Sequence, residues 1–191
     1  MERCFGKSEL YAKYHDEEWG VPVLDDRMHF EMLLLESAHA GLSWELILNK
    51  RENYRQAYQN FDPLYVANMS DDDLHHLLND TGLVRNKLKI FHSRTNAQKF
   101  LQIQKEFGSF NNYIWKFFNF QTIHNQNKSL DDVQATSKES DIISRDLIKR
   151  GMKFVGSRIV YAYLQTAGMV NDHFIDCPVY NKLKNYNLRF S

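Results

Sequence analysis

The chain has 191 residues, of which 43% are hydrophobic, and it carries 24 basic and 24 acidic residues. This length and composition suit one domain or two closely fused lobes around a sizeable core, and they exclude a disordered chain. The longer apolar runs, such as 32–35 and 159–164, are too short to cross a bilayer, and the N-terminus has no apolar targeting segment. We therefore expect a cytoplasmic protein with no membrane partner.

Basic residues are unevenly distributed along the chain. Residues 85–105 contain six basic side chains and no acidic one, and a second basic group follows at Lys149, Arg150, Lys153 and Arg158. A protein without net charge can thus present one basic face to nucleic-acid phosphates. The same pattern is also typical of an ordinary solvated helix face, so charge alone leaves both interpretations open.

Apolar residues recur at helical spacing through most of the chain and prolines are few, so the sequence predicts an all-α fold. Residues 26–38 predict a mostly buried helix that ends near Gly41. Ser43 is a suitable N-cap for the next helix, which has Trp44 in its first turn and runs towards Tyr58.

Two polar stretches predict further helix starts. Asp62 precedes Pro63, and proline suits the first position of a helix. Ser70 is followed by residues 71–73, three aspartates that the helix dipole favours in a first turn. Residues 79–82, with the sequence Asn-Asp-Thr-Gly, then predict the end of this helix.

A tight turn ending at Gly82 joins that helix to a basic one, which is predicted from about Arg85 to Phe107. This order is the outline of a helix-hairpin-helix motif, in which backbone N–H groups of the turn hold a DNA phosphate without reading sequence. We therefore assign DNA contacts to Gly82, Arg85 and Lys87. The glycine-hairpin-glycine pattern usual in that motif is incomplete, because only Gly82 is present.

The C-terminal half contains fewer signals. Residues 120–135 are polar and predict a surface loop, and Thr136 with Glu139 fits a capping box for a helix ending at Gly151. A last long helix is predicted from near Phe154 to Gly168. Residues 181–191 predict a loose tail.

The two cysteines lie at opposite ends of the chain, and each has a histidine close by in sequence. His15 follows Cys4, and His173 precedes Cys177 with three residues between them. Two thiolates and two imidazoles make a closed tetrahedral zinc site of the structural kind, which would close a loop of nearly the whole chain. Simple burial of the cysteines and chance proximity of a histidine are the alternatives. A Cys4–Cys177 disulfide is disfavoured in a reducing compartment.

Several motif blocks follow one another along the chain. They are residues 1–4 (MERC), 14–22 (YHDEEWGVP), 30–44 (FEMLLLESAHAGLSW), 50–55 (KRENYR), 61–63 (FDP), 153–156 (KFVG) and 171–173 (NDH). In their order and spacing they resemble the 3-methyladenine-DNA glycosylase I family, the constitutive bacterial type, over about residues 1–178. The chain departs from the family at Phe5, where some members place tryptophan nearby, and at residues 37–39, where some relatives carry glycine and glutamine.

The resemblance implies a helix-hairpin-helix DNA glycosylase fold, with one domain of two fused helical lobes at 1–178 and a tail at 179–191. It implies one structural Zn²⁺ per chain that joins the N- and C-terminal segments through Cys4, His15, His173 and Cys177. It also implies that the protein acts on alkylated double-stranded DNA, hydrolyses the N-glycosidic bond of 3-methyladenine and leaves an abasic site. We expect a monomer.

Glu36 ends an otherwise apolar run, and a carboxylate buried there is costly unless it is paired or used. In the family the matching glutamate is the pocket carboxylate, so we expect Glu36 to be catalytic and to accept hydrogen bonds from the flipped base. Tyr14 and Trp44 are expected to stack on the cationic base, with Tyr11 and Trp19 as weaker candidates. A helix-end glutamate with a local partner, and core packing of the aromatic residues, are the alternatives.

Gly41 and Leu42 lie in the turn between two predicted helices. An apolar wedge at this place would fill the gap left by a flipped nucleotide, while helix-turn packing is the alternative for Leu42.

Many members of the broader superfamily use an aspartate after the hairpin, and some use a lysine nucleophile. Residues 107–125 contain no aspartate, so we expect monofunctional hydrolysis without strand cleavage.

Three other classes of protein share part of this pattern. A zinc-stabilised DNA-binding module would use the basic hairpin but would need neither Glu36 nor Trp44. A zinc hydrolase acting on something other than DNA is disfavoured by four protein ligands, because catalytic zinc normally keeps an open position. A plain helical interaction protein leaves the ordered motif blocks unexplained.

Overall fold

The computed structural model describes residues 3–190, so Met1 and Glu2 of the first motif block and Ser191 of the predicted tail lie outside the described residues. Within that range the chain is mostly helical. The helices are α1 (Glu9–Glu17), α2 (Asp26–His39), α3 (Trp44–Ala57), α4 (Pro63–Ala67), α5 (Asp71–Leu77), α6 (Lys87–Phe107), α7 (Phe110–Trp115), α8 (Lys138–Lys149), α9 (Ser157–Thr166) and α10 (Pro178–Lys184). Two 3₁₀ turns, Lys116–Phe118 and Leu130–Asp132, and two strands, β1 (Ile123–His124) and β2 (Val170–Asn171), are also present. No described helix has the length and apolar character needed to span a membrane.

Helix α2 is enclosed on nearly all sides by α3, α6, α7 and α9. Most of its side chains from His29 to Ala38 are buried, as a helix that is apolar all round requires. Phe30 packs edge-on against Phe100 of α6 with ring centroids 5.1 Å apart, and Phe100 stacks on Phe110 of α7 at 4.2 Å. Helix α2 is therefore a fixed support for the side chains near its C-terminal end.

The predicted helix starts at Ser43, Asp62 and Ser70 are confirmed. Each of these side chains accepts a hydrogen bond from a backbone N–H in the first turn of α3, α4 or α5, and so satisfies one of the free donors there. Ser70 also forms a capping box with Asp73, whose carboxylate accepts from the Ser70 backbone N–H at 2.8 Å. These starts were predictable because a capping interaction is local in sequence.

The capping box of α8 is displaced by one residue from its prediction. Ser137, not Thr136, is the N-cap, and its Oγ accepts from the Ser140 backbone N–H at 3.2 Å. Ser140 returns the bond, because its Oγ lies 2.7 Å from the Ser137 backbone nitrogen. The predicted pair of Thr136 and Glu139 is therefore wrong, since the Ser-x-x-Ser pair starting one residue later takes both bonds.

Two other helix starts lie later than predicted. Helix α9 begins at Ser157 rather than near Phe154, because Phe154 has a φ of 55°, a left-handed conformation that a right-handed helix cannot contain. The basic helix α6 begins at Lys87, after the N-cap Asn86, so Arg85 lies in the turn before it.

The two short strands depart from a purely helical fold. They pair in parallel, with Ile123 opposite Val170 and His124 opposite Asn171. Strand β1 lies inside residues 120–135, which the sequence predicted as a loop. Each strand has only two residues, too few for the alternation of polar and apolar positions that identifies a strand. The all-α prediction is therefore correct for most of the described chain and wrong for these two segments.

The described C-terminal residues are packed rather than loose. Helix α10 buries Val179, Tyr180 and Leu183, and the predicted domain boundary at residue 178 coincides with its first residue. Further on, the Phe190 ring packs edge-on against Trp115 with centroids 5.3 Å apart. The prediction of a loose tail from residue 181 is therefore wrong for residues 181–184, which belong to α10, and for Leu188 and Phe190, which pack against the core.

Candidate active site and metal centre

Four buried side chains from the two ends of the chain converge on one point. They are Cys4, His15, His173 and Cys177, and their ligand atoms all lie within 4.8 Å of one another. We call them the Cys2His2 cluster. Cys4 precedes α1, His15 lies in the last turn of α1, His173 follows β2, and Cys177 is the N-cap of α10. The fold thus assembles the four residues that the sequence spacing had grouped.

The geometry of the Cys2His2 cluster fits a tetrahedral zinc ion. A sulfur and a nitrogen ligand of such an ion lie about 3.6 Å apart, because their bond lengths are about 2.3 and 2.0 Å. Cys177 Sγ is 3.5 Å from His173 Nδ1 and 3.7 Å from His15 Nε2, and Cys4 Sγ is 3.7 Å from His173 Nδ1. Four protein donors complete a tetrahedron, which is typical of a structural site.

Each histidine of the Cys2His2 cluster is oriented through its other ring nitrogen. His15 Nδ1–H donates to Asp16 at 2.8 Å, and His173 Nε2–H donates to the Trp19 backbone oxygen at 2.9 Å. The hydrogen bond from Arg3 holds the pKa of Asp16 at about 2, so this acceptor is ionised at neutral pH. Burial lowers the pKa of both imidazoles, to about 4 for His173, which favours the neutral form that binds a metal.

A cleft of about 170 Å³ lies between the C-terminal end of α2 and helices α1, α3 and α9. Aromatic rings form much of its wall, and we call it the aromatic cleft. Its lining residues are Phe5, Tyr11, Tyr14, Trp19, Glu36, His39, Trp44, Ala162, Gln165 and Thr166. The structure therefore brings together the predicted carboxylate and all four aromatic residues that the sequence analysis assigned to the pocket.

Glu36 is the buried carboxylate of the aromatic cleft, with only 2% of its surface exposed. Thr166 Oγ1 donates to Glu36 Oε1 at 3.0 Å, and His39 Nδ1 lies 3.0 Å from Glu36 Oε2. Burial raises the pKa of Glu36, while the bonds from His39 and Thr166 lower it and only partly offset the burial. Glu36 thus has a partner at each oxygen, of which only His39 is the local partner that the structural alternative required, and it also faces the cleft.

Tyr14 and Trp44 form adjoining walls of the aromatic cleft. Their ring centroids are 5.6 Å apart with the ring planes tilted by 49°, and the Tyr11 ring stacks on the Tyr14 ring with centroids 6.3 Å apart. The His39 ring meets the Trp44 ring edge-on at 5.4 Å. Trp44 Nε1 is buried without a hydrogen-bond partner among the described residues, which is unusual for a buried indole donor.

Trp19 belongs to both the aromatic cleft and the surroundings of the Cys2His2 cluster. Its ring lies 4.5 Å from the His173 ring and 6.1 Å from the His15 ring. Phe5 packs on the same group, with its ring 4.7 Å from Trp19 and 4.8 Å from Tyr11. The cluster and the cleft therefore share a wall.

Sequence reasoning missed several residues of the aromatic cleft. His39 was noted only as a departure from the family, although it lies three residues after Glu36 and therefore on the same helix face. Phe5 was noted in the sequence only as a departure from the family, in which some members place tryptophan nearby. Thr166 lies 130 positions from its partner Glu36, and no local pattern in the sequence connects them.

The predicted wedge, Gly41 and Leu42, lies in the exposed turn between α2 and α3. Gly41 has a φ of 79°, a conformation that favours glycine, and the Leu42 side chain is 37% exposed. Lys89 Nζ donates to the backbone oxygens of Ala38 and Ala40 at 2.8 and 2.6 Å. This lysine fixes the turn against the first turn of α6, so the wedge and the basic helix lie on one side of the protein.

The predicted hairpin joins α5 to α6 through residues 78–86. Gly82 lies against Asn53 of α3, and an added Cβ would come within 2.7 Å of the Asn53 side chain. Arg85 and Lys87 are exposed on the turn and on the first residue of α6. None of these three predicted DNA contacts lines the aromatic cleft.

A second helix pair carries the other basic group. Helices α8 and α9 pack together, and Gly156, the N-cap residue that precedes α9, is exposed and has no capping side chain. Asn96 of α6 holds this turn by bonds to the backbone oxygen and nitrogen of Lys153, both at 2.8 Å. Ser37 Oγ donates to the Leu33 backbone oxygen at 2.8 Å and also lies 3.3 Å from the Phe154 backbone oxygen. The turn before α9 therefore lies beside the C-terminal end of α2, as the wedge does.

Comparisons with known proteins agree with this geometry. A family model described as methyladenine glycosylase matches residues 4–180. The chain is 43% identical over 182 residues to DNA-3-methyladenine glycosylase 1 of Escherichia coli (strain K12), covering 94% of this chain and 97% of that protein. A crystal structure of 3-methyladenine DNA glycosylase I has a TM-score of 0.90 at 42% identity and covers 93% of this chain and 98% of its own. A structure of a tyrosine-to-phenylalanine variant of 3-methyladenine DNA glycosylase I, in complex with 3-methyladenine, has a TM-score of 0.90 at 34% identity. The match covers 93% of this chain and 97% of that chain. The chain therefore belongs to the methyladenine glycosylase family.

Proposed function

We propose that the protein hydrolyses the N-glycosidic bond of 3-methyladenine in alkylated double-stranded DNA and leaves an abasic site. Membership of the methyladenine glycosylase family supports the reaction class. The observation that carries the proposal is the buried Glu36 carboxylate in a cleft walled by Tyr14 and Trp44. A negative charge enclosed by aromatic faces is the environment that a flat, cationic base requires.

The chemistry needed at this site is modest. The 3-methylated base is already cationic, so it leaves as a neutral molecule without strong protonation, while water adds to the sugar carbon and releases a proton. Glu36 accepts hydrogen bonds from the extruded base and stabilises the positive charge of the sugar as the bond breaks. Tyr14 and Trp44 stack on the base, with Tyr11 and Trp19 closing the cleft. No lysine is among the cleft residues, which supports monofunctional hydrolysis.

The surface around the aromatic cleft is proposed to bind the DNA backbone. Gly41 and Leu42 enter the gap left by the extruded nucleotide, and Gly82, Arg85 and Lys87 contact phosphates as a helix-hairpin-helix motif does. The turn before α9, with the free N–H groups that follow Gly156, is a further phosphate contact on the same side. The six basic side chains in residues 85–105, a stretch without an acidic residue, support this arrangement.

The Cys2His2 cluster is proposed to hold one structural Zn²⁺ that joins the N- and C-terminal segments. The ion would cross-link the two segments and balance the negative charge of the two thiolates. It would take no direct part in base removal. We also propose that residues 1–178 form one glycosylase domain of two fused helical lobes, and that the protein is a cytoplasmic monomer.

Base release tests the proposed function. Purified protein incubated with DNA treated by a methylating agent is expected to release 3-methyladenine and to leave 7-methylguanine in place, as measured by chromatography of the free bases. Borohydride is expected to trap no covalent adduct between protein and DNA. No release by a folded, zinc-loaded protein would leave a DNA-binding module as the better description. A hydrolytic activity on another substrate that a chelator abolishes without unfolding the protein would instead favour a zinc hydrolase.

Replacing both Arg85 and Lys87 by alanine is expected to weaken binding to duplex DNA equally for all sequences. Each lost phosphate contact lowers the slope of log affinity against log salt by about 0.9, so the double variant should lose about 2. Fluorescence anisotropy of a labelled duplex at several salt concentrations measures this slope. Lys105→Ala, at the far end of α6, is the matched control. An unchanged slope in the double variant would remove these residues from the DNA interface.

A further inference from the structure

Thr166 is the last residue of α9, and both hydrogen bonds of its hydroxyl go to residues of the aromatic cleft. Its Oγ1 donates to Glu36 Oε1 at 3.0 Å and lies 3.1 Å from Tyr14 Oη. The single hydroxyl proton of Thr166 is used on Glu36, so Tyr14 is the donor of the second bond. Burial keeps the pKa of Tyr14 well above its usual value, so its phenol retains the proton that it donates. The three groups form a directed chain from Tyr14 through Thr166 to Glu36.

We propose that Thr166 is a positioning residue that aligns the Glu36 carboxylate and couples it to Tyr14. The inference rests on the proposed role of Glu36 in base recognition and deepens it. No other element holds Glu36 Oε1 among the described residues, because His39 bonds to Oε2 from the same helix as Glu36. Thr166 is thus the contact that fixes the carboxylate relative to α9, which packs against α2.

The proposed alignment leaves acceptor sites of Glu36 free for a base. An ionised carboxylate has about four lone-pair directions, of which Thr166 and His39 occupy one on each oxygen. One direction on each oxygen therefore remains available to N–H donors. Without the bond from Thr166, the side chain could rotate and use these directions on water or on other polar groups in the cleft.

The bond from Thr166 also favours the charged form of Glu36. It lowers the pKa of this carboxyl against the effect of burial, as does the neighbouring His39. The other titratable groups that face Glu36 are Tyr11 and Tyr14 on α1, whose phenols are neutral at physiological pH because burial raises their pKa. Helices α3 and α9 contribute the Trp44 indole and the Thr166 hydroxyl, which do not titrate in this range. Loss of the hydroxyl should therefore shift the titration of Glu36 upward.

Three substitutions separate positioning from packing. Thr166→Val keeps the volume and branching of the side chain but removes the hydroxyl, whereas Thr166→Ser keeps the hydroxyl. Thr122→Val is the matched control, because Thr122 Oγ1 donates to the Gly168 backbone oxygen at 2.8 Å and does not line the aromatic cleft. Thermal unfolding of all three variants measures the structural effect of each change.

Single-turnover release of 3-methyladenine is expected to fall about 10- to 100-fold in Thr166→Val, the range for a hydrogen bond to a charged group. The acid limb of its pH profile should move to higher pH, while Thr166→Ser recovers most of the rate and Thr122→Val keeps the original rate and profile. A Thr166→Val variant with the original rate and acid limb would overturn the proposal. A loss that Thr166→Ser fails to recover, or that follows the fall in melting temperature across all three variants, would do the same.

A titration of the ¹³C-labelled Glu36 carboxyl by NMR tests the positioning without using activity. The midpoint is expected to rise by about one pH unit in Thr166→Val and to stay near the original value in Thr166→Ser. If the midpoint moves in this way while the unmodified protein releases no base, the role of Thr166 stands and the proposed function fails. If base is released but the midpoint does not move, the role assigned to Thr166 fails and the proposed function stands.

Discussion

Replacing Glu36 by glutamine is expected to reduce base release at least 100-fold, about 2.7 kcal/mol of lost transition-state stabilisation. Glutamine has nearly the same shape and retains hydrogen-bonding capacity towards Thr166 and His39, but it cannot offer a negative charge to a cationic base. Single-turnover release at neutral pH measures the effect. Glu17→Gln, which changes an exposed glutamate of α1, is the matched control and should retain full activity.

The same substitution is expected to make the protein more resistant to unfolding at neutral pH. Burial raises the folded-state pKa of Glu36 above its ordinary value of 4.5, so the folded protein binds this proton more tightly than the unfolded chain does. Stability is therefore lost as the pH rises from about 4.5 through the raised pKa, and glutamine avoids that loss. Thermal unfolding between pH 4 and 8 should show a flatter dependence for Glu36→Gln. A lower melting temperature at neutral pH would instead identify Glu36 as a structural residue.

Loss of the metal from the Cys2His2 cluster is expected to lower the melting temperature by about 10–20 °C. A cross-link that closes nearly the whole chain contributes about 5 kcal/mol through the entropy of the unfolded state, and each kcal/mol is worth about 2–4 °C at this size. Replacing Cys4 and Cys177 by serine, or adding a strong chelator, should produce the loss. Thermal unfolding with parallel measurement of bound zinc tests it.

Two controls test whether the fall in melting temperature comes from loss of the metal. The chelator should leave the melting temperature of the double serine variant unchanged, because that variant has no metal to lose. Base release should disappear together with the folded state, since Trp19 packs on both His15 and His173 and also lines the aromatic cleft. A chelated protein that keeps its melting temperature would show that the cluster holds no stabilising metal.

Much of the site was predictable because residue types and their spacing in the sequence point to it, and these can be read without knowing how the chain packs. Only two cysteines are present, so their pairing with His15 and His173 had few alternatives. The carboxylate of Glu36 stood out because it follows a run of leucines that a buried helix requires, but its assignment to the pocket came from the resemblance to the family. His39 could also have been assigned, since a spacing of three residues places it on the same face of α2 as Glu36.

Other features depend on contacts between distant parts of the chain. The bond between Thr166 and Glu36 exists only because α9 packs against α2, and a threonine near a helix end gives no local sign of such a role. Strands β1 and β2 have two residues each, and their pairing depends on the return of the chain after α9. Helix α10 was overlooked because Pro178 was not considered as a helix start, although proline suits that position.

The central proposal, a glycosylase that uses Glu36 in the aromatic cleft, is tested most directly by comparing the unmodified protein with Glu36→Gln in two assays. One assay measures 3-methyladenine released from methylated duplex DNA, and the other measures affinity for an undamaged duplex. The proposed mechanism predicts release by the unmodified protein alone and equal affinity of both proteins for the duplex. Equal release by both proteins, or no release by either despite normal duplex binding, would contradict it.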